Sequence, residues 1–555
     1  MSKSYKKHSL SELGFGGWGV FSLSLVFSIP LLAVMFHLFL PSTGQWEHLA
    51  STVLPNYIFN SIYLMVFVGL GSLLLGTLSA WLVVMYRFPG SAFFSWALIL
   101  PLAIPAYVMA YATTDFLQFS GPLQTFVREA LNLSPQQWKL PNIRSLGGVA
   151  IVFSLVLYPY VYLIARAAFL KQSTGIVEAA RTLGCGATRL FLKVAVPAAR
   201  PALVAGVALV LMETLADYGA VSFFGVPTFT TGIYRAWFSF GDKVAAAQLA
   251  TMLLGFVVLL LALERISRGK SRYENNSNKQ DGAEKIQLTG KKAWGASLFC
   301  ALPVGLGFIL PVLVLISMAL RVENGFFTTR YFDLILNTVT LGGITALLAT
   351  LLGLMVVFAL RMHPAHKPLA MAGRLSGLGY AIPGSIIAVG VLIPFAWFDN
   401  QLDGFFRTNF GLSTGLILTG SIAALVFAYL VRFLSVSMQT LEAGFAKVNP
   451  SIDSAARSLG ANKKRLLKEV HFPLLKVSLL TAFLMVFVDV MKELPATLIM
   501  RPFNFDTLAV VAHNFASDER LAEAAVPALT IVLVGLLPVL LLSRMISSST
   551  KIKKT

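Results

Sequence analysis

The chain has 555 residues, 56% of them hydrophobic and only 12% charged, with a mean hydropathy of +0.75. That balance excludes the soluble globular class and points to a protein built for lipid. The net charge of +19 is a topology signal and not a nucleic-acid surface. No basic-aromatic module accompanies it, and with both termini inside, about three-quarters of the 44 Lys and Arg fall on the inner side, as the positive-inside rule describes.

Residues 1–16, with Lys3, Lys6 and Lys7, form a cytoplasmic N-terminus. The apolar stretch after them is too long for a signal-peptide core and lacks a small-x-small cleavage site, so it is retained as an anchor. Twelve stretches reach the roughly 20 residues that a hydrocarbon core of about 30 Å requires. They lie at 17–40, 57–86, 91–115, 147–170, 199–222, 244–264, 294–320, 336–360, 370–398, 414–438, 475–498 and 523–543. Period-2 patterning is absent, so the spans are helices, which satisfy their own backbone groups in lipid. Cys185 and Cys300 sit at different expected depths, so no disulfide joins them and no metal site follows from them.

Residues 267–292 break the apolar pattern with a basic, Ser-, Asn- and Gly-rich run, the composition of a hydrated cytoplasmic linker. The expected fold is an all-α polytopic membrane protein of about 12 transmembrane helices in two homologous six-helix halves. The first half is 17–266, the second 293–545, and 546–555 is a cytoplasmic tail. Asn60-Ser61 in the first half answers to Asn337-Thr338 in the second, and Ala103-Ile104-Pro105 to Ala381-Ile382-Pro383. The shared proline predicts a shared kink, because proline removes a helix hydrogen bond. Six spans per half send both halves into the membrane in the same direction. The expected arrangement is a pseudo-two-fold axis along the membrane normal, with a pathway where the halves meet.

The repeat is most legible in two polar, basic islands, 171–197 and 447–473. Glu178-Ala179-Ala180-Arg181-Thr182-Leu183-Gly184, closing at Pro197, is displaced by 276 residues from Ser454-Ala455-Ala456-Arg457-Ser458-Leu459-Gly460, closing at Pro473. Nine of the twenty positions from 178 to 197 are identical to their counterparts. Ser173 and Asn449 suit an N-cap, and Pro450 suits the first helical position. Gly184 and Gly460 suit a left-handed C-cap. The expected geometry is helix, tight turn, helix, repeated at the cytoplasmic face. A single such loop reads as an amphipathic segment lying on the membrane; two matched copies read as one docking surface used twice.

The pattern Glu-Ala-Ala, three residues, Gly, then a proline thirteen further on resembles the signature loop of permease subunits of binding-protein-dependent ABC importers. The resemblance covers both halves and is to the fused, twelve-span form with the type I importer (MetI-like) permease fold. It implies that Glu178, Ala179, Ala180, Gly184 and Pro197, with Ser454, Ala455, Ala456, Gly460 and Pro473, form coupling segments that seat on a cytoplasmic ABC ATPase dimer. It also implies a periplasmic substrate-binding protein, a membrane-lipid environment, no nucleic-acid partner, and the bacterial inner membrane with both termini cytoplasmic. Ser454 stands where the family pattern has Glu, with Asp453 just before it. Any charged contact that Glu178 makes must therefore be made differently by the second copy, or not at all.

Longer strings are similar to the ferric-iron permeases of that family. They are Ala216-Asp217-Tyr218-Gly219-Ala220 with Phe224-Gly225-Val226-Pro227-Thr228-Phe229-Thr230-Thr231-Gly232, and Lys492-Glu493-Leu494-Pro495-Ala496-Thr497 with Arg501-Pro502-Phe503-Asn504-Phe505-Asp506-Thr507-Leu508-Ala509. They imply iron(III) as cargo; thiamine and phosphonate permeases share the build. No G-x-x-x-x-G-K-[ST] loop exists: Gly269-Lys270-Ser271 has the ending, but Glu264 stands where the first glycine belongs. The chain is therefore expected to bind no cofactor and to be no enzyme, with ATP hydrolysed by a partner subunit. A gradient-driven secondary transporter fits two parallel halves equally well, but it has no use for paired cytoplasmic islands.

Most spans carry no acid in their interior; the fifth and eleventh are the exceptions. Glu213 pairs with Asp489 and Asp217 with Glu493 at the same displacement. A charge in hydrocarbon is expensive and must face water or a partner. These four, with Tyr218, are candidates to line the outer mouth of a pathway and attract a hard cation. The alternative is that they reach water at helix ends or pair with Lys492 and Arg235. The histidines 37, 363, 366, 471 and 513 show no ligand spacing and are expected at the membrane interfaces; no metal site is fixed.

Overall fold

The computed structural model describes residues 14–41, 45–134, 137–171, 182, 184–268, 285–322 and 328–551. Among them the only strand pairing is two residues long, Tyr86–Arg87 running parallel to Ile286–Gln287. Everything else is helix or connection. Ten helices are long and apolar enough to cross a membrane, and two further broken pairs bring the total to twelve. Each of the twelve overlaps one of the apolar stretches read from the sequence, although several boundaries and one connection differ.

The helices are built inside-out relative to a water-soluble bundle. Helix Leu54–Met85 buries Ser61, Gly69, Ser72, Gly76, Thr77 and Ala80, while Phe59, Phe67, Leu70 and Leu74 lie on the outside. Lipid offers no hydrophobic penalty to an exposed Leu, so helices associate through small residues that let backbones approach. A Cβ on Gly76 would stand 2.7 Å from Val161 Cβ and 2.8 Å from the Tyr158 carbonyl oxygen of helix Leu146–Lys171. In the second half Gly353 meets Ser437 in the same manner, with helix Thr329–Met362 against helix Ile422–Phe445.

The prolines do more than kink. The third span, expected as one helix over 91–115, divides into Ser91–Ala103 and Ala106–Ala130 at 94° to one another. Ile104 is extended (φ −98°, ψ 116°), as is Ile382 (φ −96°, ψ 125°). A residue before proline is driven out of the helical region, so each helix stops there, and Pro105 and Pro383 cap the helices that follow. Two asparagines repair the interrupted backbone elsewhere. Asn60 donates to the Pro227 carbonyl at 2.8 Å, and Asn337 donates to the Asp506 carbonyl at 3.2 Å. Thr338 Oγ1 also accepts from the Leu508 amide at 3.0 Å. Asn60 in the first half, and Asn337 with Thr338 in the second, thus tether the loops that follow spans five and eleven.

By contacts the chain forms two compact units, and neither is a linear half. One comprises 1–43, 233–251 and 327–510; the other comprises 44–232, 252–326 and 511–555. In the first unit helix Gly14–His37 packs on helices Gly384–Phe410, Lys367–Ser376 and Thr329–Met362, and the Pro30 carbonyl lies within 2.3 Å of where a Cβ on Gly390 would stand. In the second unit helix Leu310–Ala319 packs on helix Leu521–Lys551. Much of the expected linker lies outside the described residues; its end enters the second unit, where Lys285 donates to the Val83 carbonyl at 2.8 Å. Cys185 and Cys300 are both free.

Gly76→Leu should lower the stability of the detergent-solubilised protein by about 1–3 kcal/mol or more, because the obstruction at Gly76 includes backbone that cannot repack. Gly147→Leu, at a glycine with open space around it, should leave the melting temperature nearly unchanged.

Candidate functional site

The second polar island has a complete geometry. The Asn449 side chain accepts from the Ser451 amide at 3.0 Å, and helix Pro450–Ser458 follows. It ends on Gly460, whose φ is +82°. The Ala461 amide bonds back to the Ala456 carbonyl at 3.0 Å and the Gly460 amide to that of Arg457 at 2.9 Å, a Schellman-type closure for which a left-handed glycine is best suited. Asn462 Oδ1 then accepts from the Arg465 amide at 2.9 Å and starts the next turn. Gly184 has the same left-handed φ, +77°, but Glu178, Ala179 and Ala180 lie outside the described residues.

The two islands leave their turns differently. After Gly184 the helical path from Ala187 to Ala216 is continuous, so no separate second helix precedes span five, contrary to the expected helix-turn-helix followed by a span beginning near 199. Pro197 is accommodated by a π-turn at Phe191–Ala195, which re-registers the ladder around the missing donor. In the second copy a π-turn at Leu466–His471 precedes Pro473, and the helix then breaks, with Lys463–Leu474 and Lys476–Met491 at 77°.

Helix Pro450–Ser458 has two distinct sides. Ser454 and Ala455 are exposed and Ala456 is half-buried. Ile452 is exposed too, and Leu459 at its C-cap is 85% exposed. Residues 452, 455 and 459 fall on one face by helical spacing. Around them are Arg457, Lys463, Lys464 and Arg465, all exposed, which marks water and not lipid. Asp453 points the other way and is buried. Its carboxylate takes Arg361 Nε at 2.8 Å and lies 3.0 Å from His471 Nε2, so it does not stand in for the missing glutamate on the exposed face. His471, expected at an interface, is fully buried, with its ring against Phe358 and Phe445. His513, also expected there, is buried with its Nδ1 3.0 Å from the Tyr111 hydroxyl.

The four carboxylates separate into different roles. Asp217 Oδ1 accepts from the amides of Ala220 at 2.9 Å and Val221 at 3.3 Å, closing the first turn of helix Gly219–Phe223. Glu493 does the same for helix Pro495–Met500: Oε1 accepts from the Ala496 amide at 3.0 Å, and Oε2 from the Thr497 amide at 3.2 Å and hydroxyl at 3.0 Å. Glu493 is 5% exposed and is also ion-paired with Arg432 at 3.4 Å. Asp489 bridges Lys492 at 2.8 Å. Glu213 is half-buried, and the Tyr218 ring lies beside that of His513. The buried partner of Glu493 is thus Arg432, and neither Lys492 nor Arg235. The signal of Arg432 was present, since it is the one basic residue in helix Ile422–Phe445. Arg361 and His471 gave no such signal.

Residues 72–269 match the family described as binding-protein-dependent transport system inner membrane component. Over 493 residues the chain is 26% identical to the Fe(3+)-transport system permease protein FbpB 2 of Haemophilus influenzae, covering 87% of this chain and 89% of that protein. It is 25% identical over 526 residues to the ferric transport system permease protein FbpB of Actinobacillus pleuropneumoniae, covering 89% and 72%. A putative 2-aminoethylphosphonate transport system permease protein, PhnV of Salmonella typhimurium, is 28% identical over 245 residues, 41% of this chain and 84% of its own length. The chain is a multi-pass inner-membrane permease component of the ABC importer class, with the type I (MetI-like) fold. The family match falls within the first copy, and the long relatives extend the likeness through the second.

Glu493→Ala should destabilise the protein by about 3–5 kcal/mol, because it removes the caps and leaves Arg432 buried and unpaired. Asp489→Asn, which loses only a partly exposed pair, should cost about 0–1 kcal/mol. Thermal unfolding of the two purified variants side by side checks the contrast.

Proposed function

We propose that this permease translocates iron(III), delivered by a periplasmic binding protein, and that a cytoplasmic ATPase dimer drives it through the segments 171–197 and 447–473. The observation that carries the coupling assignment is the exposed face of Ile452, Ala455 and Leu459. It is a small apolar surface held on a capped, glycine-terminated helix inside a basic, water-facing island. An apolar patch rimmed by charge marks a protein contact, and small alanines let a partner's backbone approach closely. Iron(III) is supported by the strings around Asp217–Gly232 and Lys492–Ala509, together with the ferric names of the long relatives.

In this reading the chain supplies no ATPase chemistry and binds no cofactor. ATP is hydrolysed by the partner, whose closure displaces both coupling segments, and each compact unit carries one of them. Both termini and the residues between the halves lie on the cytoplasmic side with the islands. The linear domains are 17–266 and 293–545 in the duplicated sense, although packing groups the helices differently. Among the described residues Glu213 is the pathway acid that neither caps a helix nor forms an ion pair, and the Tyr218 ring lies beside that of His513.

Affinity purification of the tagged chain from its native membrane should bring down a nucleotide-hydrolysing subunit, and uptake of radiolabelled iron(III) should require it. Iron uptake that persists without that subunit identifies a gradient-driven carrier instead, and uptake of 2-aminoethylphosphonate but not iron reassigns the cargo. Gly184→Val and Gly460→Val force a branched side chain into the left-handed region at a cost of roughly 1–2 kcal/mol or more, with nothing within 4 Å to clash. Both variants should insert normally and lose at least tenfold in uptake; wild-type uptake in both would remove the coupling assignment.

A further inference from the structure

We infer that Arg361, Asp453 and His471 form a clamp that fixes the second coupling helix to the membrane helices of its own unit. The inference rests on the reading of 447–473 as a docking segment and assigns these three residues a positioning role within it.

Helix Pro450–Ser458 has nine residues, too few to hold a pose by its own propensity. Its only buried side chain is Asp453. Arg361, at the end of helix Thr329–Met362, gives Nε to Asp453 at 2.8 Å. Its other two nitrogens donate to the carbonyls of Phe445 at 2.8 Å and Val448 at 2.9 Å, which terminate helix Ile422–Phe445. One planar guanidinium therefore joins the ends of two spans to the coupling helix, with the geometric specificity that a forked, charge-assisted donor provides. His471 Nε2 lies 3.0 Å from the other carboxylate oxygen, near enough to pack against it but without hydrogen-bond geometry, and sits at the end of the π-turn before span eleven. Ile452, Ala455 and Leu459 are on the opposite side of the helix from Asp453, so a load on the docking face passes through the carboxylate to Arg361 and both span ends.

At the corresponding positions the first copy carries apolar residues. At the 276-residue displacement Val177 answers to Asp453 and Ala195 to His471. Helix Leu54–Met85 ends on Val84-Met85 where its partner ends on Arg361-Met362. At these positions the second segment carries an acid and a histidine where the first carries apolar residues.

The test uses the complex purified with its ATPase, in a Cys185→Ser, Cys300→Ser background. Spin labels on Ser451→Cys, exposed and outside the docking triad, and on Leu375→Cys report the pose of the coupling helix against helix Lys367–Ser376 of the same unit without reference to cargo. The distance distribution should be narrow in the otherwise unaltered chain and at least twofold broader in Asp453→Asn. The Arg361→Met, Asp453→Val, His471→Ala triple variant places at these three positions the residues of the first copy, Met85, Val177 and Ala195, leaves no buried charge unpaired, and is the decisive variant should Asp453→Asn fail to insert. It should retain the ATPase and hydrolyse ATP while radiolabelled iron(III) taken up per ATP falls at least tenfold. An unchanged distribution, or a wild-type ratio of uptake to hydrolysis in the triple variant, overturns the clamp. Absence of any ATPase from the unaltered complex sinks the docking reading itself and is distinguishable from both.

Discussion

A backbone amide or carbonyl in hydrocarbon has no water to bond with, so every departure from helix must be satisfied by the protein itself. That constraint accounts for features that otherwise look unrelated. The broken third span and its counterpart stop at Ile104-Pro105 and Ile382-Pro383. The loops after spans five and eleven are held by Asn60 and Asn337, and their short helices are capped by Asp217 and Glu493. Two of the four acids in the fifth and eleventh spans, Asp217 and Glu493, are thus committed to backbone repair. An acid near a helix end in a membrane is costly as a free charge and far less so as an acceptor of two or three amides.

The duplication conserves scaffold geometry and relaxes detail. Glycine contacts, proline breaks and asparagine tethers recur with nearly the same dihedrals and partners. Connections to the coupling segments do not: one copy continues straight from Ala187 to Ala216, while the other bends by 77° between Leu474 and Lys476. A fused chain is free to diverge in this way, because its two copies need not be identical as they must in a symmetric pair. The compact units also cross the linear halves, since helix Gly14–His37 joins the unit made mostly of the second copy, and helix Leu310–Ala319 the other.

As a permease of an ABC importer the chain needs two things from its fold: interior contacts tight enough to move as units, and a surface through which an external motor acts. Small residues supply the first, through backbones close enough that Gly76 has no room for a side chain. The exposed face of helix Pro450–Ser458 fits the second, with its buried face anchored by a carboxylate. Hydrophobicity is not the discriminating feature, because most of the outer surface is apolar and lies against lipid. What distinguishes the coupling helix is an apolar face set among exposed lysines and arginines.

Span number, the repeat, the proline breaks and both left-handed glycines were legible in the sequence, because each depends on local chemistry: apolar length, a missing amide proton, a missing Cβ. The roles of Asp217 and Glu493 were only half legible. Their depth marked them as special, but whether such a carboxylate faces a pathway or a helix terminus depends on which amides the following loop brings to it. Arg361, Asp453 and His471 are far apart in sequence and unremarkable one by one. Only the packing of three helix ends against one another makes them a cluster, because ion pairs are read from distance in space and local sequence carries no record of it.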